Sequence, residues 1–500
     1  MASILGLIPG PLSWPVSILV LLLTVAAAVL VQLVASRPAF PSGAPRLLKG
    51  WPVFGSIDFF RARAEFIDKN TKKVPSGQFS FYYGPHPIVA VSGPEARVSF
   101  FNTRGLDLNK GFAALFAAAP NIDHLYEGDM TSQFITIFKR LLQRDRLAGN
   151  LHHMTTDAHA AISKIDTSSA VDPFAVMLKL VYQLTHRTLG SNDVANDPKL
   201  LTDTLAVFGR LDDSSAMEIM FPKLPWPSKV RKMWAGARLH WAFSKIIHDR
   251  RKTGRTDTDA MQWLMDQGLS DIFISVFIMG SLFAGLINST FSAAWILSHL
   301  TDKPDWYARI QAEVDAVLAK YRQSPDEPVA KVIARLPMEA WESEFPLIDM
   351  ALRETIRLDN QGVSMRKNIS GKDVQIGNTG QVIPNNTFAI YGMGDIHMNE
   401  QVYQDPSTWD PSRYLPGREE DKKQPHAYIG WGTGLHPCLG MKFAKLEIAV
   451  STVTFFAHYD FKRCDKNGHE PKDELPTVDR SGIGEKRPVR NIFLKCTPRT

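Results

Sequence analysis

Cysteine is scarce in this chain, with three residues in 500, at positions 438, 464 and 496. An odd count without paired spacing argues against a disulfide scaffold and fits a reducing compartment. No CxxC pair occurs, which argues against zinc ribbons and against a haem attached through two cysteines. A bias of charge is also missing. The 57 Lys and Arg are well mixed with 51 Asp and Glu, and the net charge of +6 is too diffuse to mark a nucleic-acid partner. It is compatible with an anionic membrane surface or an acidic partner. There is no internal repeat and no low-complexity tract. The hydrophobic fraction of 44% and aromatic fraction of 10% suit a large folded core.

Charge is absent altogether from residues 1–36. The stretch Trp14 to Val34 is about long enough to span a ~30 Å hydrocarbon core. A secretory signal would have a basic start and a shorter apolar run, and this segment has neither. Arg37, Arg46 and Lys49 follow on its C-terminal side, which places the bulk of the chain in the cytosol. Residues 1–36 are therefore expected to be a single-pass membrane anchor. Residues 37–52 are expected to form a proline-rich linker that stops the anchor helix. Residues 53–500 are left as one mainly α domain with small peripheral sheets.

Within that domain, Gln78–Val91 reads as a strand pair around a Gly-Pro turn. Helical periodicity dominates from about 130 to 355. Strand-like runs return at 374–392, 452–463 and 488–496. Ile272–Thr301 has no Asp, Glu, Lys or Arg. Length alone allows a second membrane span, but its many Ser, Gly and Asn residues favour a long helix buried in a soluble core. Phe221–Pro227 is an apolar, proline-rich loop. It reads either as a surface turn or as a second membrane contact near a substrate entrance.

Cys438 stands in Trp431-Gly-Thr-Gly434-Leu-His436-Pro-Cys438-Leu-Gly440. Glycines let backbone pass close to a flat macrocycle and reach positive φ. Backbone N–H groups in such a loop can hold a sulfur as thiolate. Upstream, Glu354 and Arg357 share one helix face at i, i+3. Between them and the cysteine lies Trp409-Asp-Pro-Ser-Arg413-Tyr414-Leu-Pro416.

Taken together, these segments resemble the cytochrome P-450 superfamily, in family order and over most of the chain. Gly434, Cys438 and Gly440 match its Phe-x-x-Gly-x-x-x-Cys-x-Gly pattern, with Trp431 in place of Phe. The resemblance implies the cytochrome P-450 fold and a haem b whose iron takes an axial thiolate from Cys438. A thiolate ligand pushes electron density onto iron and favours O–O cleavage. Glu354, Arg357 and Arg413 match a structural ion-pair trio, with Tyr414 in place of Phe. His436 and Arg366 stand where the family places haem propionate donors. The family's earlier Trp-x-x-x-Arg pair is missing, and Lys139 or Arg140 is the substitute.

The expected distal helix departs from the family. Its Ala/Gly-Gly-x-Asp/Glu-Thr pattern supplies an acid and an alcohol for proton delivery. Here Ile287 takes the acid position and Asn288 the Thr position, followed by Ser289 and Thr290. Ile cannot relay a proton, and Asn donates a hydrogen bond without titrating. The catalytic candidates are Asn288 and Thr290, on a face lined by Phe283, Ala284, Ile287 and Asn288. The alcohols of Ser289 and Thr290 are expected to point elsewhere around the helix.

The resemblance implies a monooxygenase that inserts one oxygen atom into a lipophilic small molecule such as a terpenoid, steroid or polyketide. Electrons would come from NADPH through a reductase, for which Lys442 and Lys445 offer a basic docking patch. An anchored form resembles microsomal members and implies the endoplasmic reticulum membrane. Two other readings stand beside it. One is a haem-thiolate isomerase or dehydratase that needs no reductase. The other is a non-catalytic membrane haem- or lipid-binding protein.

Overall fold

A computed structural model describes residues 14–35, 37–116, 130–211, 215–222, 224–360, 362–480 and 487–499. Parts of the expected segments lie outside the described residues: residues 1–13 and 36 of the anchor, Lys223 of the proline-rich loop, and residues 117–129, 212–214, 361, 481–486 and 500 elsewhere in the domain. The uncharged N-terminal run forms one helix, Trp14–Ala35, of 22 residues.

The Gly-Pro turn joins strands Phe79–Tyr83 and His86–Val91, which pair antiparallel with Phe81 opposite Ile88. Gly84 takes φ +57°, and a Cβ there would lie 2.9 Å from Met220 Cβ, so the turn needs glycine. His86–Val91 then pairs parallel with Phe388–Gly392 from far along the chain. Val363–Asn368 and Leu106–Asp107 complete a five-stranded sheet. Every residue of Phe388–Gly392 is buried, as suits a strand covered on both faces.

Helices make up the rest of the core. The uncharged run lies in a 31-residue helix, Asp271–Thr301. Ser270 caps it by accepting from Phe273 N–H, and Asp271 sits at the positive end of its dipole. Helices Pro173–Leu189, Pro227–Thr253, Pro346–Asp359 and Met441–His458 all pack against it. Length and composition alone would let it cross a membrane, but 19 of its 31 residues are buried inside the protein. Two of its buried serines are satisfied locally: Ser275 donates to Asp271 O and Ser298 to Ala294 O, both at 2.8 Å.

One strand expectation is corrected. Residues 452–458 are helical, the last turns of Met441–His458, and the strand begins at Tyr459. Thr452, Val453, Thr454, Phe455 and Phe456 have strand propensity, but all five are buried, and packing outweighs propensity. The strands are Tyr459–Cys464 and Phe493–Pro498, paired antiparallel.

Candidate active site

The cysteine loop starts as a tight hairpin, Gly432–Thr433 against His436–Pro437. Gly434 has φ +61°, and a Cβ there would lie 2.3 Å from the Phe101 carbonyl oxygen. No other residue fits. Gly440 differs, with φ −90°. It stands at the N-cap of Met441–His458, and its N–H faces the Cys438 sulfur. Cys438 N–H donates to Trp431 O at 2.6 Å, which closes the loop. The thiol thus sits at the positive end of a helix dipole. Cys438 is exposed into the slot in front of it, yet the surrounding protein desolvates its thiol enough to raise its pKa, and the Gly440 N–H opposes that shift.

The loop is held from behind by buried charge. Arg357 Nε and Nη2 form a fork on Glu354, at 2.8 and 2.7 Å. Arg413 Nε reaches Glu354 Oε1 at 3.0 Å, and Tyr414 Oη reaches Oε2 at 3.1 Å. Asp410 N–H adds a further bond at 3.0 Å. Glu354, Arg357 and Arg413 are all at most 1% exposed. Arg413 also donates to backbone carbonyls of Asp405 and Thr408, and Arg357 to the His397 carbonyl at 2.6 Å. Buried charges of this kind are tolerated only when paired and fully hydrogen-bonded.

His397 escaped sequence reasoning, and it carries the link onward. Its Nε2 accepts from Ile429 N–H at 3.1 Å, on the segment that enters the cysteine loop. An accepting Nε2 places the proton on Nδ1. Burial, then the neighbouring Arg357 and Arg97, push its pKa down to about 3, so the ring is neutral. Glu313 was also missed. It accepts from Leu347 and Ile348 N–H, at 2.8 and 3.3 Å, and so caps the helix that carries Glu354 and Arg357. Burial raises its carboxyl to about 7. Neither residue has a spacing signal, because each acts on backbone far away in sequence.

Between the loop and the long helix lies a cavity of about 570 Å³. Trp431, His436, Cys438 and Gly440 line one side. Ala284, Gly285, Asn288, Ser289 and Ser292 line the other, a stripe at helical spacing. Phe134 and Phe138, stacked at 5.6 Å, close one end. Phe134 fits there because position 280 is Gly, where a Cβ would lie 2.9 Å from its ring.

The structure separates the expected distal residues. Asn288 and Ala284 line the cavity, whereas Phe283 and Ile287 do not. Thr290 does not line it either. It is 1% exposed and its hydroxyl has no partner. Ser289, expected to face elsewhere, lines the cavity instead. Two residues along a helix rotate a side chain by about 200°, which turns Thr290 away when Asn288 faces in. The same geometry corrects Arg140: it is not among the lining residues, and its neighbour Lys139 is. Of the basic pair after the cysteine, Lys442 is exposed, while Lys445 is held by Asp349 at 2.5 Å.

His436 and Arg366 come together at one edge, near enough that Arg366 helps lower the His436 pKa, after burial. Arg366 is 3% exposed and packs over the Phe100 and Phe101 rings. Burial lowers its pKa to about 10, so it stays charged at neutral pH. Its only protein acceptor among the described residues is Met365 O, at 2.8 Å, and its Nε has no partner. The Trp431 indole N–H is likewise buried and unpaired. Buried donors of this kind call for an acceptor.

A cysteine at the head of a helix, an apolar slot above it and a guanidinium short of acceptors at its edge define a haem-thiolate protein. The family model described as Cytochrome P450 matches residues 45–487. The chain belongs to the cytochrome P450 family and is an oxidoreductase of the monooxygenase type. It is 31% identical to cytochrome P450 monooxygenase AacuE of Aspergillus aculeatus, over 90% of this chain and 91% of that one. Sterol 14-demethylase of Arabidopsis thaliana is 26% identical, over 85% and 88%. The solved structure titled retinoic acid bound cyanobacterial CYP120A1 shares the fold. Its TM-score is 0.73 at 20% identity, covering 91% of this chain and 99% of that one. The family implies haem iron with a thiolate ligand, and the residues present fit it: a sulfur facing an apolar slot, and buried N–H donors without protein acceptors.

Proposed function

We propose that this chain is a membrane-anchored monooxygenase that oxygenates a lipophilic small molecule, with electrons from NADPH through a reductase. A terpenoid, steroid or polyketide of secondary metabolism is the substrate class, and the endoplasmic reticulum membrane the location. The observation that carries the reading is Cys438 lining one cavity with the Ala284–Ser292 stripe of the long helix.

Cys438 would hold the iron, Arg366 and His436 the propionates, and Trp431, Gly434 and Gly440 the loop against the ring. Lys139 would replace Arg140 as a third cation. When bound, the haem supplies activation of molecular oxygen. The chain's own residues bind and orient the substrate and exclude water. Asn288 would donate a hydrogen bond into the cavity it lines, and the lining of Leu108, Phe134 and Ala284 would select apolar molecules. Glu354, Arg357 and Arg413 would keep the loop in register without touching substrate.

Residues 1–36 would be the anchor, 37–52 the linker and 53–500 the catalytic domain. The helix Pro227–Thr253 supports a membrane-facing side. Val230, Met233, Trp234 and Trp241 form an exposed stripe on it, with Trp241 82% exposed. Trp at such a surface favours the bilayer interface. Phe54, just after the linker, meets Phe221 at 6.2 Å, which would bring the exit of such an anchor beside the start of that helix. A reductase would dock on the side of Lys442.

Purified protein incubated with and without NADPH and reductase tests the reading. Oxygenated product should depend on both. Turnover that continues undiminished without them would favour a haem-thiolate isomerase or dehydratase.

A further inference from the structure

Trp431 carries an N–H that a phenylalanine at the same place would lack. The indole Nε1 is buried and has no partner among the described residues, the Cys438 thiol included. Yet Trp431 lines the same cavity as Cys438, and the backbone explains why. Gly432–Thr433 pairs antiparallel with His436–Pro437, with Gly432 opposite Pro437. One step further from the turn, Trp431 stands opposite Cys438, and Cys438 N–H donates to Trp431 O at 2.6 Å. Residues opposite one another in an antiparallel pair put their side chains on one face, with Cβ atoms about 4.5–5.5 Å apart. The hairpin thus sets the indole beside the sulfur.

A thiol is a weak acceptor, whereas a thiolate is a charged and strong one. Ligation of iron requires the thiolate. Gly440 N–H and the head of Met441–His458 already favour that charge from one side. The indole N–H is a further donor within the loop, and it is uncommitted. A haem carboxylate at the edge held by Arg366 and His436 is the competing acceptor. The register favours the sulfur, since Trp431 is opposite Cys438 while His436 is paired with Thr433.

We propose that the Trp431 indole N–H donates a hydrogen bond to the Cys438 thiolate and so sets how strongly the sulfur donates to iron. Trp431 is then a positioning residue that acts through the sulfur and touches no substrate. A hydrogen bond to a ligating sulfur draws electron density from it and raises the reduction potential of the metal. The iron accepts its first electron more readily than it would with Phe at this position, and the push from the thiolate is weaker. This assignment rests on the haem-thiolate reading above.

The test uses the full chain loaded with haem. It compares the parent with Trp431→Phe and with a chain carrying benzothienylalanine in place of Trp431, which keeps the bicyclic ring and replaces its N–H by sulfur. Resonance Raman reads the iron–sulfur stretch, and spectroelectrochemistry reads the one-electron midpoint potential. Both replacements should move the stretch to higher frequency and lower the midpoint. The ferric-to-ferrous ratio at a fixed potential should rise about threefold. Haem retention should hold in both, and the reduced carbon monoxide spectrum should stay of thiolate type. The analogue keeps the shape of the indole, so it separates loss of the N–H from loss of size and keeps the test open where Trp431→Phe loosens the loop. An unmoved stretch or an unmoved midpoint in the analogue overturns the proposal. Weakened haem retention with an unmoved stretch would assign the N–H to a haem carboxylate and overturn it as well. A parent without the thiolate-type spectrum would instead overturn the haem-thiolate reading itself, and the role of Trp431 with it.

Discussion

Arg366 is a residue whose surroundings are incomplete within the described part of the protein. It is buried and charged, and its Nε is unpaired. A guanidinium so placed is stable only when an anion takes up the spare donors. Arg366→Leu should therefore weaken haem retention by about 10-fold, as loss of a supporting partner typically does at a metal centre. Arg366→Lys should restore part of it, since Lys carries the charge but not the fork. Haem titration of the haem-free protein, followed by absorbance, reads both. At this scale the sequence was informative wherever a residue acts through its neighbours in the chain. Gly434 and Cys438 belong to that group. Thr290 and Ser289 exchanged roles because one residue's rotation decides which faces the cavity.

Among the elements, the helix Pro346–Asp359 and the segment around Arg413 form one unit. Trp409 Nε1 donates to Thr355 Oγ1 at 2.9 Å, and His299 stacks on Trp409 at 5.3 Å. His299 also pairs with Asp359 at 2.8 Å, which ties the unit to the long helix. Removing one member of a buried ion pair strands the other, at a cost of about 3–5 kcal/mol. Glu354→Ala should lower stability by that amount, and Arg413→Ala should do the same. Urea denaturation of the haem-free protein measures it without any dependence on turnover. The Glu-x-x-Arg spacing and the Arg413 segment were legible because they are short motifs. Their anchoring to the Asp405, Thr408 and His397 carbonyls was not, because backbone acceptors leave no trace in composition. The helix through 452–458 was hidden for a different reason. Its residues are buried all round and so show no amphipathic period.

For the molecule as a whole, three histidines set the acid limit. Burial pushes His186 and His397 down to about 3 and His458 to about 4. Unfolded, each returns to an ordinary pKa near 6.5. The unfolded chain thus binds more protons between pH 6.5 and 3. The stability they allow is fully present above 6.5 and falls as pH drops through that window, by about 1.4 kcal/mol per pH unit for each proton taken up. Melting temperature measured from pH 7.5 to 4.5 should fall steadily below 6.5, and His458→Gln should flatten the fall. Deleting residues 1–36 should shift the protein from the membrane pellet toward the soluble fraction, read by sedimentation. Part should stay bound through the Trp234–Trp241 stripe, and changing both tryptophans to Ser should release it. The fold class and anchor-length run were readable from residue chemistry and hydropathy alone. The pairing of His86–Val91 with Phe388–Gly392 was not, because contacts so distant in sequence leave no local period.

The most direct test of the whole account is the reduced carbon monoxide difference spectrum of the haem-loaded full chain, beside Cys438→Ser. A red-shifted Soret band of thiolate type in the parent, lost in Cys438→Ser with the protein still folded, is the predicted result. An unshifted band in the parent, or a shifted band that survives in Cys438→Ser, would contradict it.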